Sequence, residues 1–244
     1  MLPIDLQILK YYIFEKPMFQ QKIKPYFNWQ SYRSLAQSLE NLEKDPAIET
    51  TDFSNTTFTV FDLETTGLIP EIGHEIISIG AIQLTGTKFC RTEKFHQFIK
   101  PVRPVSRRIK NLTGIDKHDL MNASPFIDAF SNFLHYSKGT ILVAHPAKFD
   151  IRFLQTMAKR WKLPEYQPYV LDSQLMAKWL LPGVNHQLDP LIRRLGIEKL
   201  ERHHALNDAI MTAELFEYLL AEAMERGVST FQDLHPILMD IQNK

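Results

Sequence analysis

Five side chains are spaced so that they could act together on a phosphate ester: Asp62, Glu64, Asp150, His203 and Asp208. Asp62 and Glu64 interrupt the apolar stretch FTVFDLETTGLIP, residues 58–70. On a strand, residues i and i+2 share a face, so the two carboxylates project together from a strand end. A solvated edge strand would give the same spacing without chemistry. The flanking Phe58, Val60, Phe61 and Leu63 argue against a solvated face. Two like charges in close proximity raise each other's pKa unless a cation lies between them, and hard oxygen donors suit Mg²⁺ or Mn²⁺.

Asp150 stands inside LVAHPAKFDIRFL between Phe149 and Ile151. The pattern predicts it in the first turn of a helix, where the dipole favours a negative charge. That role alone would account for it, just as a satisfied structural histidine would account for His145. In HHALNDAIMTAEL, Asp208 follows His203 by five residues, and a helix is expected to begin between them. Ala205, Ala209, Ala213 and Phe216 would pack that helix closely on a sheet. Each residue taken singly has an ordinary structural explanation. Together, four acids and a histidine, each beside a strand end or a helix start, match the needs of phosphoryl transfer through two divalent ions about 4 Å apart. A histidine can remove the proton of the attacking water, typically worth ~10²–10⁴ in rate.

The elements that must position these residues follow from periodicity. Strands are expected at TFTVFDLE, EIISIGAIQL and EKFHQFIK, joined by short connections that favour antiparallel pairing. Then follow a helix with Phe126, Phe130, Phe133 and Leu134 on one face, a strand in GTILVAH, a helix from Lys148, a short strand in YVLDS and a helix in SQLMAKWLL. A long helix ends at Gly227, and a last one runs from about Thr230 to Ile241. Three strands followed by alternating helices and strands give an α/β fold with a mixed sheet. Residues 1–52 differ: they carry scattered aromatics, Pro17 and Pro25 are expected to break the first part, and Ser31 is placed to cap a helix through Lys44. They read as an N-terminal helical extension, with residues 53–244 as the main domain.

The bulk composition narrows the function classes only a little. Of 244 residues, 44% are hydrophobic and 23% charged, as in an ordinary globular protein. Lys plus Arg and Asp plus Glu number 28 each, so attraction for a polyanion has to be local. Cys90 is the single cysteine, which rules out an internal disulfide and a Cys-x-x-Cys zinc pair. No segment approaches the ~20 apolar residues of a membrane span, and the N-terminus makes a poor secretion signal. The expected location is the cytoplasm.

FDLETTGL, HPAKFD and HHALNDA resemble, in order and approximate spacing, the three motifs of the DEDD exonuclease superfamily, histidine subtype. This group contains the proofreading epsilon subunit of bacterial DNA polymerase III. The resemblance covers roughly residues 57–226. It implies a ribonuclease-H-like fold, with Asp62, Glu64, Asp150 and Asp208 as metal-binding acids. The general base of the family lies five residues before the last aspartate, which selects His203 over His204. Thr65, Thr66 and Leu68 would line the pocket for the terminal nucleotide, together with Leu112, Thr113 and Gly114 of NLTGI. His145 and Phe149 of the second motif are further expected substrate contacts. Pro146 departs from the family pattern, which has asparagine there, and so removes a side-chain hydrogen-bonding group. No long tail of the kind that joins epsilon to its polymerase is seen, so stable polymerase association is not implied.

The resemblance implies hydrolysis of the 3′-terminal phosphodiester with two Mg²⁺ or Mn²⁺ ions, releasing nucleoside 5′-monophosphates. Single-stranded DNA is the favoured substrate, with RNA trimming and a weakly active module that binds ends or a partner protein as alternatives. Residues 88–118 carry nine basic residues against Glu93 and Asp116. Arg107, Arg108 and Lys110 in this run are the expected phosphate contacts.

Overall fold

The computed structural model of the chain describes residues 3–243, and the side chains of 88–93 lie outside that description. The expected basic contributions of Lys88 and Arg91 therefore fall outside the described residues.

The N-terminal region is a nearly continuous helical run. It comprises α1 (Ile4–Lys10), a π-helical turn (Tyr11–Glu15), α2 (Lys16–Ile23) and a 3-10 turn (Lys24–Asn28), followed by α3 (Gln30–Glu40) and α4 (Ala47–Thr50). At the expected breaks, Pro17 and Pro25, the run changes helix type but does not leave helical geometry: a π turn ends just before Pro17, and α2 gives way to a 3-10 turn at Pro25. Each proline removes a bond to the turn before it, and the π turn before Pro17 and the 3-10 turn at Pro25 accommodate that loss. Ser31 does not cap α3, because Trp29 holds the N-cap position without a side-chain bond.

The extension is part of the core. Phe19, Ile23 and Leu35 are buried, and the Phe19 and Trp161 rings meet edge to face at 6.1 Å. The Gln20 side chain donates to the Arg160 carbonyl at 3.0 Å, and the Tyr32 hydroxyl to that of Lys162 at 3.0 Å.

The sheet strands are β1 (Thr57–Thr65), β2 (Ile76–Thr85) and β3 (Lys88–Phe98), then β4 (Ile141–Ala144) and β5 (Val170–Asp172). Between β3 and β4 come α5 (Arg107–Thr113), α6 (Lys117–Asn122) and α7 (Phe126–Tyr136). Helix α8 (Ala147–Arg160) joins β4 to β5. After β5 come α9 (Ser173–Leu180), α10 (Leu188–Leu195), α11 (Ala205–Glu225) and α12 (Phe231–Gln242). Helix α10 is short and carries Pro190 in its first turn, which hides it from a periodicity argument.

The strand order is β3-β2-β1-β4-β5. β1 pairs antiparallel with β2 and β2 with β3, whereas β1–β4 and β4–β5 are parallel. This mixed five-stranded sheet flanked by helices has the ribonuclease-H-like exonuclease architecture, and β1 is its central strand.

Alternation along β1 sorts its side chains between two cores. Phe61 and Leu63 join Phe133 of α7 and Phe153 of α8, together with the N-terminal helices. Phe58 and Val60 join Phe216 and Leu219 of α11 on the other face. Asp62 and Glu64 continue the α11 face past the point where apolar packing stops. Among the described residues no helix is long and apolar enough to cross a membrane.

Candidate functional site

The acids at the end of β1 lie beside the start of α11. In the ladder, Asp62 pairs with Gly80 of β2 and Glu64 with Ser78. Gly80 admits the helix: a Cβ there would lie 2.1 Å from the Leu206 amide nitrogen and 2.2 Å from the Ala205 carbonyl carbon. The first turn of α11 therefore rests directly on the sheet. Asp208, one turn further in, is 4% exposed, and Glu64 is 8% exposed. Gly80 is a positioning residue that the motifs did not reveal, although a glycine inside a strand is a recognised sign of close backbone approach.

His203 is exposed and adopts φ +62°, a left-handed conformation uncommon for a residue with a side chain. The loop enforces it. The His203 N–H donates to Asp208 Oδ2 at 3.1 Å, and the Asn207 side chain donates to the Glu201 carbonyl at 3.1 Å. With this turn, ligand atoms of Glu64, His203 and Asp208 lie within 4.8 Å of one another.

The neighbouring His204 has a different environment. It is the N-cap of α11, its Nδ1 accepts from the Asn207 N–H at 3.4 Å, and its ring lies 4.7 Å from that of His96. His96 in turn reaches the Ser78 hydroxyl at 3.0 Å. The structure thus separates the two adjacent histidines: His203 meets the acids and His204 the scaffold.

Asp150 is buried in the first turn of α8, as expected. The Leu63 backbone amide stabilises its charge and ties it to β1. Burial raises the pKa of Asp62, and the Asp150, Asp208 and Glu64 charges raise it further. Burial also pushes Glu64 up, with help from Asp208, to about 8. Asp150 and Asp208 are raised by burial too. Arg202 opposes this trend by pairing with Asp208 Oδ1 while its Nε contacts Asp189 Oδ1 at 2.7 Å. Three buried acids and the half-buried Asp62, which destabilise one another's charged forms, with an imidazole alongside, are a donor set suited to hard divalent cations. Asp116, His118 and Asp119 also cluster, but they form the capping box of α6 on an exposed surface.

The expected substrate contacts divide. His145 is not available as a contact: its Nδ1 meets the Ser173 hydroxyl at 2.9 Å and its Nε2 the His186 carbonyl at 2.8 Å. Burial holds its pKa down at about 4, against the opposing pull of that carbonyl. Phe149 is half-buried with its ring 4.9 Å from Phe153. The Thr65 hydroxyl donates to the Gly67 carbonyl at 2.7 Å, and the Thr66 hydroxyl accepts from the Glu75 N–H at 2.9 Å, so both shape the loop after β1. Leu68, 72% exposed, stands at the tip of that loop.

Thr113 is buried and bonds back to Ile109, Gly114 closes α5 at φ +67°, and Leu112 is exposed. Helices α5 and α6 dock through Ile109, Ile115 and Leu120 on Ile77, next in chain to the Ser78 that pairs with Glu64. Arg107 and Arg108 are exposed on α5, and Lys110 is half-buried. Arg103 turns inward instead, donating to the Ile72 carbonyl at 3.0 Å and pairing with Glu15 at 2.7 Å.

Pro146 occupies the N-cap position of α8 and offers no side-chain bond. Asp172, at the end of β5, fills part of that role. Its Oδ1 accepts from the Gln174 and Leu175 amides at 2.9 and 3.1 Å, capping α9, and the Ala147 and Lys148 amides at the start of α8 also stabilise its charge.

A family model for exonucleases of the RNase T type matches residues 59–216. The chain is 32% identical over 212 residues to the PolC-type DNA polymerase III of Thermotoga petrophila, covering 87% of this chain and 15% of that protein. It is 34% identical over 194 residues to a DNA polymerase III subunit epsilon-like protein of Rhodobacter capsulatus, covering 77% of this chain and 27% of that one. The chain thus spans less than a third of the length of either relative.

Among solved structures, the nuclease domain of 3′hExo, a DEDDh family member bound to rAMP, superposes with a TM-score of 0.63 at 21% identity, over 72% of this chain and 96% of that one. Exonuclease X in complex with 5′-overhanging duplex DNA superposes with a TM-score of 0.59 at 22% identity, over 74% and 99% respectively. With its family model matched over well more than half its length and its sheet in the same architecture, the chain belongs to the RNase T exonuclease family.

Proposed function

We propose that the protein is a divalent-metal-dependent 3′–5′ exonuclease that shortens DNA from its 3′ end and releases nucleoside 5′-monophosphates. The observation that carries this reading is the convergence of Asp62 and Glu64 from β1, Asp150 from α8 and Asp208 from α11, with the His203 imidazole brought to Glu64 and Asp208 by a left-handed turn.

Asp62, Asp150 and Asp208 would hold one ion, and Asp62 would share a second. Such ions, when bound, neutralise the carboxylates and supply positive charge to the phosphate undergoing displacement. Glu64 orients the attacking water. His203, exposed beside Glu64, removes its proton. The loop carrying Leu68 and the exposed end of α5 with Leu112 flank the terminal nucleotide, and Arg107 and Arg108 meet backbone phosphates further along. Action in the cytoplasm accords with this role.

The DNA preference draws support from relatives named as DNA polymerase III proteins and from a structural neighbour bound to duplex DNA. The neighbour bound to rAMP favours RNA as the second reading. The test is digestion of matched 5′-labelled DNA and RNA strands with Mg²⁺, with Mn²⁺ or with EDTA. Stepwise 3′ shortening of DNA that requires the ions, and that Asp62→Ala abolishes, is expected. Equal cleavage in EDTA, or full activity in Asp62→Ala, would refute the assignment.

A further inference from the structure

Arg202 is the cation set into the acid cluster. It precedes His203 in the loop that leads into α11, and that loop splits the Asp208 carboxylate between two neighbours. Oδ2 accepts the His203 N–H at 3.1 Å, and Oδ1 pairs with Arg202 Nη1. Oδ2 is thus hydrogen-bonded, whereas the enclosed Oδ1 forms no hydrogen bond and has the Arg202 guanidinium as its charged neighbour, so an ion that takes Oδ1 has to share it with a guanidinium.

Arg202 also has a second partner. Its Nε contacts Asp189 Oδ1 at 2.7 Å, on the first turn of α10, and Asp189 is itself 3.3 Å from Lys199. Asp189 lies at the protein surface, whereas Asp208 is enclosed. The guanidinium thus bridges one acid outside the cluster and one within it, and its charge reaches Asp62 and Glu64 as well.

We propose that Arg202 is a built-in competitor for the divalent ions, which shares Asp208 with them and so sets how tightly they bind. The inference rests on the nuclease reading above. A fixed positive charge beside an ion site repels the incoming ion, and a charge at 4–6 Å changes an ionic equilibrium by about tenfold or more. Asp189 acts in the opposite direction, drawing the guanidinium outward and leaving Asp208 freer.

The test is calorimetric titration of the full chain with MnCl2 in the absence of nucleic acid, with melting temperatures in EDTA as the folding control. Arg202→Gln is expected to bind Mn²⁺ about tenfold more tightly than wild type, and Arg202→Lys, which keeps the charge, close to wild type. Asp189→Asn is expected to bind Mn²⁺ more weakly, and the Arg202→Gln/Asp189→Asn double variant to behave like Arg202→Gln. A purely structural role for the Arg202–Asp189 pair would weaken Mn²⁺ binding in both single variants, and that result overturns the proposal. Unchanged affinity in Arg202→Gln overturns it too. If neither wild type nor Arg202→Gln takes up Mn²⁺, the nuclease reading falls with it, whereas uptake by wild type with the wrong order of variants removes only the role given to Arg202.

Discussion

Gly80 faces Asp62 across the β1–β2 ladder, and the space above Gly80 is filled by the backbone of Ala205 and Leu206. The acid from the sheet and the acid from α11 are thus brought together by a missing side chain.

Adding one methyl group should undo this arrangement. A Cβ at position 80 would lie about an ångström inside normal contact with main-chain atoms, which cannot rotate away. Gly80→Ala is expected to cost about 1–3 kcal/mol of stability through overpacking and, by shifting Asp208, to lower the exonuclease rate by roughly 10². Thermal melting and single-turnover digestion measure the two effects. A folded Gly80→Ala variant with the wild-type rate would show that the close approach has no bearing on the chemistry.

The adjacent histidines should respond differently to substitution. His203 is exposed beside Glu64, whereas His204 caps α11 and packs on His96. His203→Ala is expected to lose ~10²–10⁴ in rate with little change in melting temperature. His204→Ala is expected to cost up to about 1 kcal/mol of stability for a weak cap, seen as a lower melting temperature, and to keep most of the rate. Equal rate losses in the two variants would contradict this division.

Stability should depend on pH in a direction opposite to that of most proteins. Burial and the Asp208 charge raise Glu64 from an ordinary 4.5 to about 8. Between those values the folded state holds a proton that the unfolded chain has released. The stability this contributes is complete below pH 4.5 and is lost as pH rises toward 8, and Asp62 and Asp150 act in the same sense. Each such group contributes up to ~1.4 kcal/mol per pH unit. Burial of His145, His74 and His96 lowers their pKa values and gives the opposite slope up to about pH 6.5, so the melting temperature in EDTA should fall from pH 7 to pH 8, where the acids alone titrate. Saturating Mg²⁺ should raise it most at pH 8, because ion binding displaces protons. A melting temperature in EDTA that climbs over this range would be incompatible with the clustered acids.

The residues proposed for chemistry were legible in the sequence, and their supports were not. Period-two spacing puts Asp62 and Glu64 on one face, but each acid alone has an ordinary structural explanation, and only the three motifs together, through their resemblance to the exonuclease family, single out the set. The sheet was legible from the same period-two spacing. The supports depend on contacts between distant parts of the chain. Gly80 gains its meaning only from Ala205, and Arg103 looks like one more surface cation until it meets Glu15. His145 looks open to a ligand until Ser173 and His186 take both its nitrogens. A proline in isolation says nothing about whether the chain leaves the helix or only changes helix type, as it does at Pro17 and Pro25.

Asp172 caps α9 directly and also supports the start of α8, where Pro146 offers no side chain of its own. The two positions, 26 residues apart in sequence, therefore meet at the start of α8, and their substitutions are expected to be non-additive. Loss of the carboxylate at 172 would be felt at the entry of two helices, one of which carries Asp150. Asparagine at 146 would find one of its two amide targets, Lys148, already served by Asp172 and the other, Phe149, open to it. The same asparagine would matter more once position 172 had changed. A departure from a motif can thus be harmless in one sequence and damaging in another, depending on a residue outside the motif.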